Sequence, residues 1–400
     1  MRRLTPIDSQ GVKVEAARRP RLAWATGVVV MVLAGLAGVG IFIAKAPYGY
    51  DLWAYVLAAR HLLAGEPLYA AQPEVPFGPY GEFHYAPPAA VPFALLAPLP
   101  FELATVLFIA LNTVIAAVIA VYLIRPLPRD ARPWAIAAFV LFLPTILEIS
   151  LGNLNLITVA LCLVAWSLRQ RAPAAGTILA VAIGLKLLPL TLVLFYLASG
   201  RVRIVGWTLA VGTAGLVVTA VVFARDFPAY VSMLFTLTNS RWAADLIART
   251  PPAEVAALLG SPIGRWLLPV AAVGTAILGG LAARRHPRDE THLHHLALAF
   301  APYLASFGLL WFPYLVTALP LMASTLHRTL LLPRPPVRVA LTLALALSWL
   351  SLQVVGERND LVPIAAHLLG LVLLLALGIA VAALPRQDDV TESVAARATA

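Results

Sequence analysis

The sequence predicts an all-α polytopic membrane protein, and its composition, its long apolar runs and the distribution of its positive charges each point to this class. Of the 400 residues, 61% are hydrophobic and only 12% are charged. Soluble domains carry about 25% charged residues, so this chain lacks the polar side chains needed to cover a water-exposed surface. A soluble enzyme, a disordered protein and a nucleic-acid-binding protein are therefore excluded.

The apolar runs are long enough to cross a bilayer. A hydrocarbon core of about 30 Å needs about 20 apolar residues, and the run from Leu22 to Ala44 meets this length. No clear small-residue cleavage site follows this run, so we expect a signal anchor and not a cleaved signal peptide. With the runs that follow, the sequence predicts a bundle of about twelve transmembrane helices. The further runs lie near 101–124, 134–149, 152–168, 174–185, 187–199, 204–223, 266–284, 293–309, 311–327, 338–355 and 362–384.

The positive charges predict the orientation of these spans. The chain carries 29 Lys and Arg residues against 19 Asp and Glu, a formal net charge of +10. When the spans are threaded alternately, about three times as many of these cations fall on the side of the N-terminus as on the other, as the positive-inside rule requires for a cytoplasmic N-terminus. The predicted organisation is a cytoplasmic tail at 1–21, an integral membrane domain at 22–385 and a cytoplasmic tail at 386–400. We expect a multi-pass protein of the plasma or inner cell membrane.

Two long segments, about 45–100 and 224–265, then lie on the extracytoplasmic side, and loops of this length are commonly functional. The first contains a predicted helix from Asp51 to Ala64, which Gly65 and Pro67 end. Its apolar positions form one stripe, so we expect a helix lying in the membrane interface. The stripe comprises Leu52, Tyr55, Val56, Ala59, Leu62 and Leu63.

Ionisable and amide side chains in so apolar a chain are candidates for function, because each costs several kcal/mol at membrane depth unless it is paired. Asp51, just outside the first span, is either the N-cap of the following helix or a general base at the outer face. Lys186 lies between two half-length apolar segments, an arrangement that resembles a re-entrant pair. It either snorkels to the interface or neutralises a lipid-linked phosphate. Glu148, Asn153 and Asn155 mark an outer turn, where they either cap helices or bond between them.

Metal and cofactor chemistry has little support in the sequence. The single cysteine, Cys162, rules out an intramolecular disulfide or a cysteine metal cluster. His292, His294 and His295 fall in a predicted cytoplasmic loop without further ligands, so we expect no metal site. No dinucleotide or phosphate-binding glycine motif is present, and we expect no cofactor.

Several motifs occur in an order that resembles glycosyltransferase family 87. In the first loop they are Tyr50–Asp51, Tyr55, Ala59, Leu63–Ala64–Gly65, Pro67–Leu68–Tyr69 and Phe83–His84–Tyr85–Ala86–Pro87–Pro88. Downstream, Gly152–Asn153–Leu154–Asn155 resembles the family's Gly–Gln–x–Asn turn, Ala182 to Pro189 its lysine–proline segment, and Asn239–Ser240 its Asn–Gln–Ser loop. The resemblance is patchy but colinear over about residues 22–330.

The resemblance implies a GT-C fold and a mannosyltransferase-like enzyme. It would move a sugar, mannose or another hexose or pentose, from a polyprenyl-phosphate donor to a glycolipid or cell-envelope glycan at the extracytoplasmic face. Asp51 is then the expected general base for an inverting displacement. The expected donor-binding residues are Lys186, Tyr85, Asn153, Asn155, Arg241 and Arg249.

One late motif departs from the family pattern. The family often carries Ser–Pro–x–Ser–Trp–x–His–His, whereas this chain reads Ser306–Phe307–Gly308–Leu309–Leu310–Trp311–Phe312–Pro313–Tyr314 and lacks both histidines. Two other functions therefore stay open on the sequence alone. One is a lipid-linked-sugar flippase or small-solute transporter, and the other is an inactive scaffold of envelope assembly.

Overall fold

The described part of the chain is helical throughout and contains no β-strand. The computed structural model describes residues 48–69, 83–187, 189–236, 260–285, 292–300, 312–354 and 361–384. The α-helices are α1 (Tyr50–Ala64), α2 (Phe101–Ile124), α3 (Arg132–Val140), α4 (Leu143–Leu151), α5 (Asn155–Ser167), α6 (Ala172–Leu185), α7 (Leu190–Ala198), α8 (Val202–Val222), α9 (Phe227–Thr236), α10 (Gly264–Arg285), α11 (His292–Phe300), α12 (Leu319–Leu330), α13 (Pro335–Ser351) and α14 (Leu361–Ala383). Two 3₁₀ helices, Pro87–Leu95 and Phe312–Ala318, lie between them.

Within the described residues, three helices are long and apolar enough to cross a membrane. They are α2, α8 and residues Ala365–Ala383 of α14. A fourth span is possible if α3 and α4 form one span, which is bent by 49°. Pro144 in the first turn of α4 lacks an N–H, which suits a new helix start at this bend. The neighbouring Leu143 N–H is satisfied by Gln353 Oε1 at 3.1 Å. The all-helical membrane class is thus confirmed, whereas the number of about twelve spans stays a prediction.

Several other predicted spans are shorter helices that meet end to end. The segments expected at 152–168, 174–185 and 187–199 are α5, α6 and α7, of 13, 14 and 9 residues. Between α6 and α7 the backbone of Lys186 is extended, with φ −154° and ψ 130°. The chain therefore breaks its helical hydrogen bonding at Lys186, between the two half-length apolar segments.

The helix predicted in the first long loop is present as α1, which ends as predicted. Gly65 adopts φ +70°, and its N–H donates to the Leu62 carbonyl at 3.2 Å. This left-handed conformation favours glycine, which has no Cβ. At the other end the N-cap is Gly49, and Asp51 lies within the first turn. The N-cap role considered for Asp51 is therefore wrong, because the helix begins one residue before it and its carboxylate points to another partner.

The apolar stripe of α1 is buried against protein. Leu52, Tyr55, Val56 and Ala59 are all at most 2% exposed and pack with the first 3₁₀ helix and with Phe108 of α2. Leu63, by contrast, is 60% exposed. The location of α1 in the membrane interface stays a prediction.

The two long loops contact one another. At the end of α8, Asp226 Oδ1 accepts a hydrogen bond of 2.8 Å from the Leu68 N–H, and Arg225 Nη1 donates to the Gly65 carbonyl at 2.9 Å. The rings of Tyr69 and Tyr230 stack with their centroids 6.3 Å apart. The segment that follows α1 is thus fastened to the segment that follows α8, as expected if both loops lie on one side.

The larger core lies among the remaining helices, and His294 belongs to it. One ring nitrogen of His294 is 3.0 Å from Ser324 Oγ and the other is 2.9 Å from the Gly378 carbonyl, which links α11, α12 and α14. Across the described ranges, no group of three His, Cys, Asp or Glu side chains is arranged to hold a metal ion.

Candidate functional site

The start of α1 approaches the end of α4 closely, at Gly49 and Gly152. The Gly49 N–H donates to the Ser150 carbonyl at 2.8 Å. Gly152, which ends α4, has φ +72°, and a Cβ at this position would lie only 2.9 Å from Leu52 Cβ. Such a contact is shorter than real Cβ atoms show, so only glycine lets the first turn of α1 rest on this turn. The close approach brings Asp51 to the Gly152–Asn155 turn.

Asp51, Asn153 and Lys186 form a hydrogen-bonded chain. Asn153 Nδ2 donates to Asp51 Oδ2 at 2.7 Å, and Lys186 Nζ donates to Asn153 Oδ1 at 3.0 Å. One carboxamide thus connects a carboxylate from the first loop with an ammonium from the α6–α7 break. These groups are 102 and 33 residues from Asn153 along the chain, so the fold alone assembles them.

Glu148 and Asn155 form the buried base of this network. Both are 0% exposed. The Glu148 carboxylate accepts hydrogen bonds from the Asn155 N–H, from Asn155 Nδ2 at 2.7 Å and from the Leu156 N–H at 3.1 Å. These backbone donors belong to the first turn of α5, where a carboxylate is favoured by the helix dipole and by the unpaired N–H groups. Because Glu148 binds Asn155 Nδ2, Asn155 Oδ1 is left to accept from Lys186 Nζ at 2.7 Å.

The Lys186 ammonium is held between amide oxygens and aromatic rings. Besides its two amide acceptors, its Nζ lies 4.1 Å from the centroid of the Tyr314 ring and 5.8 Å from that of Tyr85. Aromatic faces attract a cation but carry no net charge, so they do not neutralise it as a carboxylate would. Lys186 therefore keeps its positive charge directed at neutral groups, and no carboxylate among the described residues lies within 4 Å of it.

The tyrosines of the first loop line the same space. The hydroxyls of Tyr55 and Tyr85 are 2.9 Å apart, and Tyr69 donates its hydroxyl to the Tyr85 carbonyl at 2.6 Å. Burial raises the pKa of the Tyr85 hydroxyl well above its ordinary value. Tyr85 therefore acts as a neutral hydrogen-bonding group near neutral pH.

Asp51 is the carboxylate of the network that can reach a ligand. It is only partly buried, in contrast to Glu148, and its Oδ1 forms no hydrogen bond with any described residue. Burial raises the pKa of Asp51 to about 6, although the Asn153 hydrogen bond and the charge of Lys186 both act to lower it. The carboxylate is therefore ionised at neutral pH and more basic than an exposed aspartate, as a general base requires.

Five of the predicted site residues come together here, namely Asp51, Tyr85, Asn153, Asn155 and Lys186. The other two, Arg241 and Arg249, lie outside the described residues. So do the Asn239–Ser240 motif and the late stretch through Trp311.

Sequence reasoning left three contributors out of the predicted site. Glu148 is one of them. A carboxylate in so apolar a chain needs hydrogen-bond partners, and this need was the signal that could have placed it in the site. Tyr55 belongs to the apolar stripe and to the motifs of the family resemblance, but neither pattern predicts that its hydroxyl meets that of Tyr85. Tyr314 is three residues after Trp311, the position of the second histidine in the family's late motif, and this spacing was the signal that could have identified it.

The fold and this site define a membrane protein with a polar centre, built from a partly exposed carboxylate and an ammonium at the end of an apolar helical bundle. The sequence model of glycosyltransferase family 87 matches residues 83–313. Because this match spans more than half of the 400 residues, the chain belongs to glycosyltransferase family 87 and is a membrane glycosyltransferase. The match includes Tyr85, Asn153, Asn155 and Lys186, and Asp51 precedes it. No curated protein and no solved structure matches the chain.

Proposed function

We propose that the protein transfers a sugar from a polyprenyl-phosphate donor to a hydroxyl of a glycolipid or cell-envelope glycan at the extracytoplasmic face. The observation that carries the proposal is the carboxylate–amide–ammonium chain of Asp51, Asn153 and Lys186. It holds a proton acceptor and a cation one carboxamide apart. Glycosyl transfer from a phosphate leaving group needs these two groups in one site.

Asp51 serves as the general base. Its unoccupied Oδ1 accepts the proton of the acceptor hydroxyl as the hydroxyl oxygen bonds to the anomeric carbon. On the opposite face the bond from the anomeric carbon to the phosphate oxygen breaks, and its electron pair stays with the phosphate. This single displacement inverts the anomeric centre and needs no second carboxylate as a nucleophile.

Lys186 stabilises the departing phosphate. A phosphate has a low pKa, so it leaves without a general acid, and a fixed cation is the group that lowers the barrier. The amide oxygens of Asn153 and Asn155 hold the ammonium in place, and the centroid of the Tyr85 ring lies 5.8 Å from it. The sugar is mannose or another hexose or pentose, and the polyprenyl chain lies along the apolar helices.

The test uses purified wild type, Asp51→Asn and Asp226→Asn in nanodiscs. Radiolabelled polyprenyl-phosphate sugars, mannose first, are supplied with a membrane glycolipid extract as acceptor. Asparagine keeps an oxygen that can accept from Asn153 Nδ2, so Asp51→Asn preserves the fold while removing the base. Asp226 is the control, because it is another aspartate that accepts one hydrogen bond, from the Leu68 N–H, but it lies outside the network of Asp51, Asn153 and Lys186.

We expect label to enter a new glycolipid with the wild type and with Asp226→Asn, and at least about 10³-fold more slowly with Asp51→Asn. Near-normal transfer by Asp51→Asn would refute its role as base. Movement of label across the bilayer without product would instead favour a flippase or transporter. Loss of a partner enzyme's assembly on deletion, with no effect of Asp51→Asn, would favour a scaffold.

A further inference from the structure

A second polar cluster lies at the far ends of α5 and α6 from Asp51. It is centred on Arg169, which follows α5, and on Arg201, which precedes α8; we refer to these two residues as the arginine pair. The Cζ atoms of Arg169 and Arg201 lie 4.3 Å and 5.9 Å from the centroid of the same ring, that of Trp166. Because α5 begins in the Asp51 site and rises about 1.5 Å per residue, the pair lies roughly 20 Å from that site.

The arginine pair has no acidic counterpart in the described part of the chain. No Asp or Glu of the described residues lies within 4 Å of either guanidinium. Arg201 Nη1 donates to the Arg169 carbonyl at 3.3 Å, and Arg169 Nη1 donates to the Trp166 carbonyl at 3.1 Å. The Nε of Arg169 is buried and meets no hydrogen-bond acceptor within the described ranges. Two guanidinium groups pack on one indole, and one of them has a buried N–H without an acceptor in the described ranges. A bound anion would stabilise both.

Two helix N-termini add to the positive potential at the same place. The helices α6 and α8 lie side by side near their starts, where Thr208 Oγ1 donates to the Gly176 carbonyl at 3.3 Å. A Cβ at Gly176 would lie 2.5 Å from Trp207 Cβ, so the two backbones nearly touch. Both helices therefore direct the positive ends of their dipoles to the arginine pair.

A buried hydroxyl completes the cluster. Tyr196 is 0% exposed, and its hydroxyl has no hydrogen-bond partner among the described residues. Tyr196 lies beside the pair, because its carbonyl accepts a hydrogen bond of 2.9 Å from the Arg201 N–H. A buried O–H without a partner is rare in folded proteins and is explained where a ligand supplies the acceptor.

We propose that the arginine pair binds the phosphate of an anionic phospholipid headgroup. The apolar side chains beside the cluster favour a lipid over a soluble phosphate, because Val202 and Trp207 on the first turns of α8 are 57% and 46% exposed. Acyl chains can cover these side chains while the phosphate meets the guanidinium groups. Basic pockets between membrane helices bind anionic headgroups in this way.

The test compares two double variants that lose the same charge. Arg169→Gln/Arg201→Gln removes the arginine pair. Arg171→Gln/Arg203→Gln removes two exposed arginines at the same helix starts that do not contact Trp166. Each purified full-length protein in neutral detergent is titrated with phosphatidylglycerol, phosphatidylcholine or inorganic phosphate. Bound lipid is counted by native mass spectrometry, and the thermal midpoint is recorded.

We expect the wild type and the Arg171/Arg203 variant to bind phosphatidylglycerol at least about tenfold more tightly than phosphatidylcholine, and the Arg169/Arg201 variant to lose this preference. Equal losses in both variants would show only general attraction between charges and overturn the site. If inorganic phosphate raised the thermal midpoint as much as phosphatidylglycerol does, the assignment to a lipid would be overturned.

A third variant keeps the proposal testable if the Arg169/Arg201 variant does not fold. Arg169→Lys retains the charge but lacks the planar guanidinium that stacks on Trp166 and binds phosphate at two points. We expect it to lose about fivefold or more of the preference for phosphatidylglycerol. An unchanged preference would contradict the role of Arg169 as a phosphate ligand.

Discussion

Asp51 combines an oxygen, Oδ1, that accepts no hydrogen bond from the described residues with a proton affinity suited to neutral pH, and both properties come from its surroundings. Partial burial makes the charged form less favourable, while the Asn153 hydrogen bond and the Lys186 charge keep it accessible. The result is a pKa of about 6. A fully exposed aspartate would be a weaker base, and an unpaired, fully buried one would stay protonated.

The pH dependence of transfer follows from this pKa. We expect the rate under donor-limited conditions to be nearly constant above pH 7 and to fall about tenfold per pH unit below pH 6, because protonated Asp51 cannot accept a proton. Residual transfer by Asp51→Asn should not show this decline. A rate profile from pH 4.5 to 8.5 provides the measurement, and a wild-type rate that stays constant down to pH 4.5 would contradict the pKa of about 6.

The same raised pKa predicts that Asp51→Asn stabilises the protein at neutral pH. A raised carboxyl pKa means that ionisation opposes folding once the pH exceeds the unfolded value of 3.8, with the full cost reached above about 6. Replacing Asp51 with neutral asparagine removes that cost. The thermal midpoint of Asp51→Asn should therefore equal or exceed that of the wild type at pH 7.5, and this advantage should vanish near pH 4.

Glu148 contacts no open space and acts through Asn155, so we assign it a positioning role. In Glu148→Gln the new Nε2 would face either Asn155 Nδ2 or the α5 N–H groups, and one acceptor is lost whichever way the amide turns. We expect Asn155 to rotate, Lys186 to lose an oxygen acceptor, and the donor KM to rise about tenfold with a smaller change in kcat. Steady-state kinetics over a range of donor concentrations measure this split. A fall in kcat at unchanged KM would argue against a role of Glu148 in positioning Lys186.

At the scale of elements, the site depends on how closely α1 rests on the end of α4. Gly152 and Gly65 offer a matched pair, since both adopt left-handed conformations, with φ +72° and +70°. A Cβ at Gly152 would collide with Leu52, whereas a Cβ at Gly65 would meet no atom within 4 Å. The two positions therefore separate backbone strain from displacement of α1.

We expect Gly65→Ala to lower the stability by about 1 kcal/mol through strain alone and to leave transfer nearly intact. Gly152→Ala should add the cost of displacing α1, about 1–3 kcal/mol more, and should reduce transfer at least about tenfold. Thermal unfolding and transfer assays on both variants provide the comparison. Similar activities in the two variants would mean that the close approach is not needed for the site.

The predictability of the elements differed with the kind of signal. The start of α1 near Asp51 and its end at Gly65 follow from local turn chemistry, and so does the break at Lys186. The burial of the α1 stripe by the first 3₁₀ helix cannot be predicted from local chemistry, because an apolar stripe has the same sequence pattern whether lipid or protein covers it. The meeting of Asp51, Asn153 and Lys186 depends on tertiary contacts across more than 100 residues, which no local pattern encodes.

At the scale of the whole molecule, the predicted orientation places the Asp51 site outside the cell and the arginine pair inside. Cys162 is buried and is the single cysteine of the chain, so a Cys162→Ala background is free of thiols. Single cysteines can then be placed at Glu66, which follows α1, and at Asp130, between α2 and α3, both of which are exposed. These positions test opposite sides of the membrane.

We expect a membrane-impermeant maleimide to label the cysteine of Glu66→Cys in intact cells within minutes, and that of Asp130→Cys only after permeabilisation. The physical basis is the excess of arginine around the α2–α3 connection and at the other predicted cytoplasmic loops. Mass-tag gel shifts of the labelled protein measure the outcome. The reverse pattern would place the site in the cytoplasm and rule out an extracytoplasmic acceptor.

The roles proposed for Asp51 and Lys186 have one more consequence, which concerns the charge of the site during a turnover. In the proposed transfer, Asp51 loses one negative charge as it takes up the proton, while the departing phosphate gains one. The total charge of the site is thus constant, and a unit of negative charge moves from the aspartate end of the Asn153 carboxamide to the lysine end. The site then returns to its starting state in two separate events, loss of the proton from Asp51 and exit of the doubly charged lipid phosphate from Lys186.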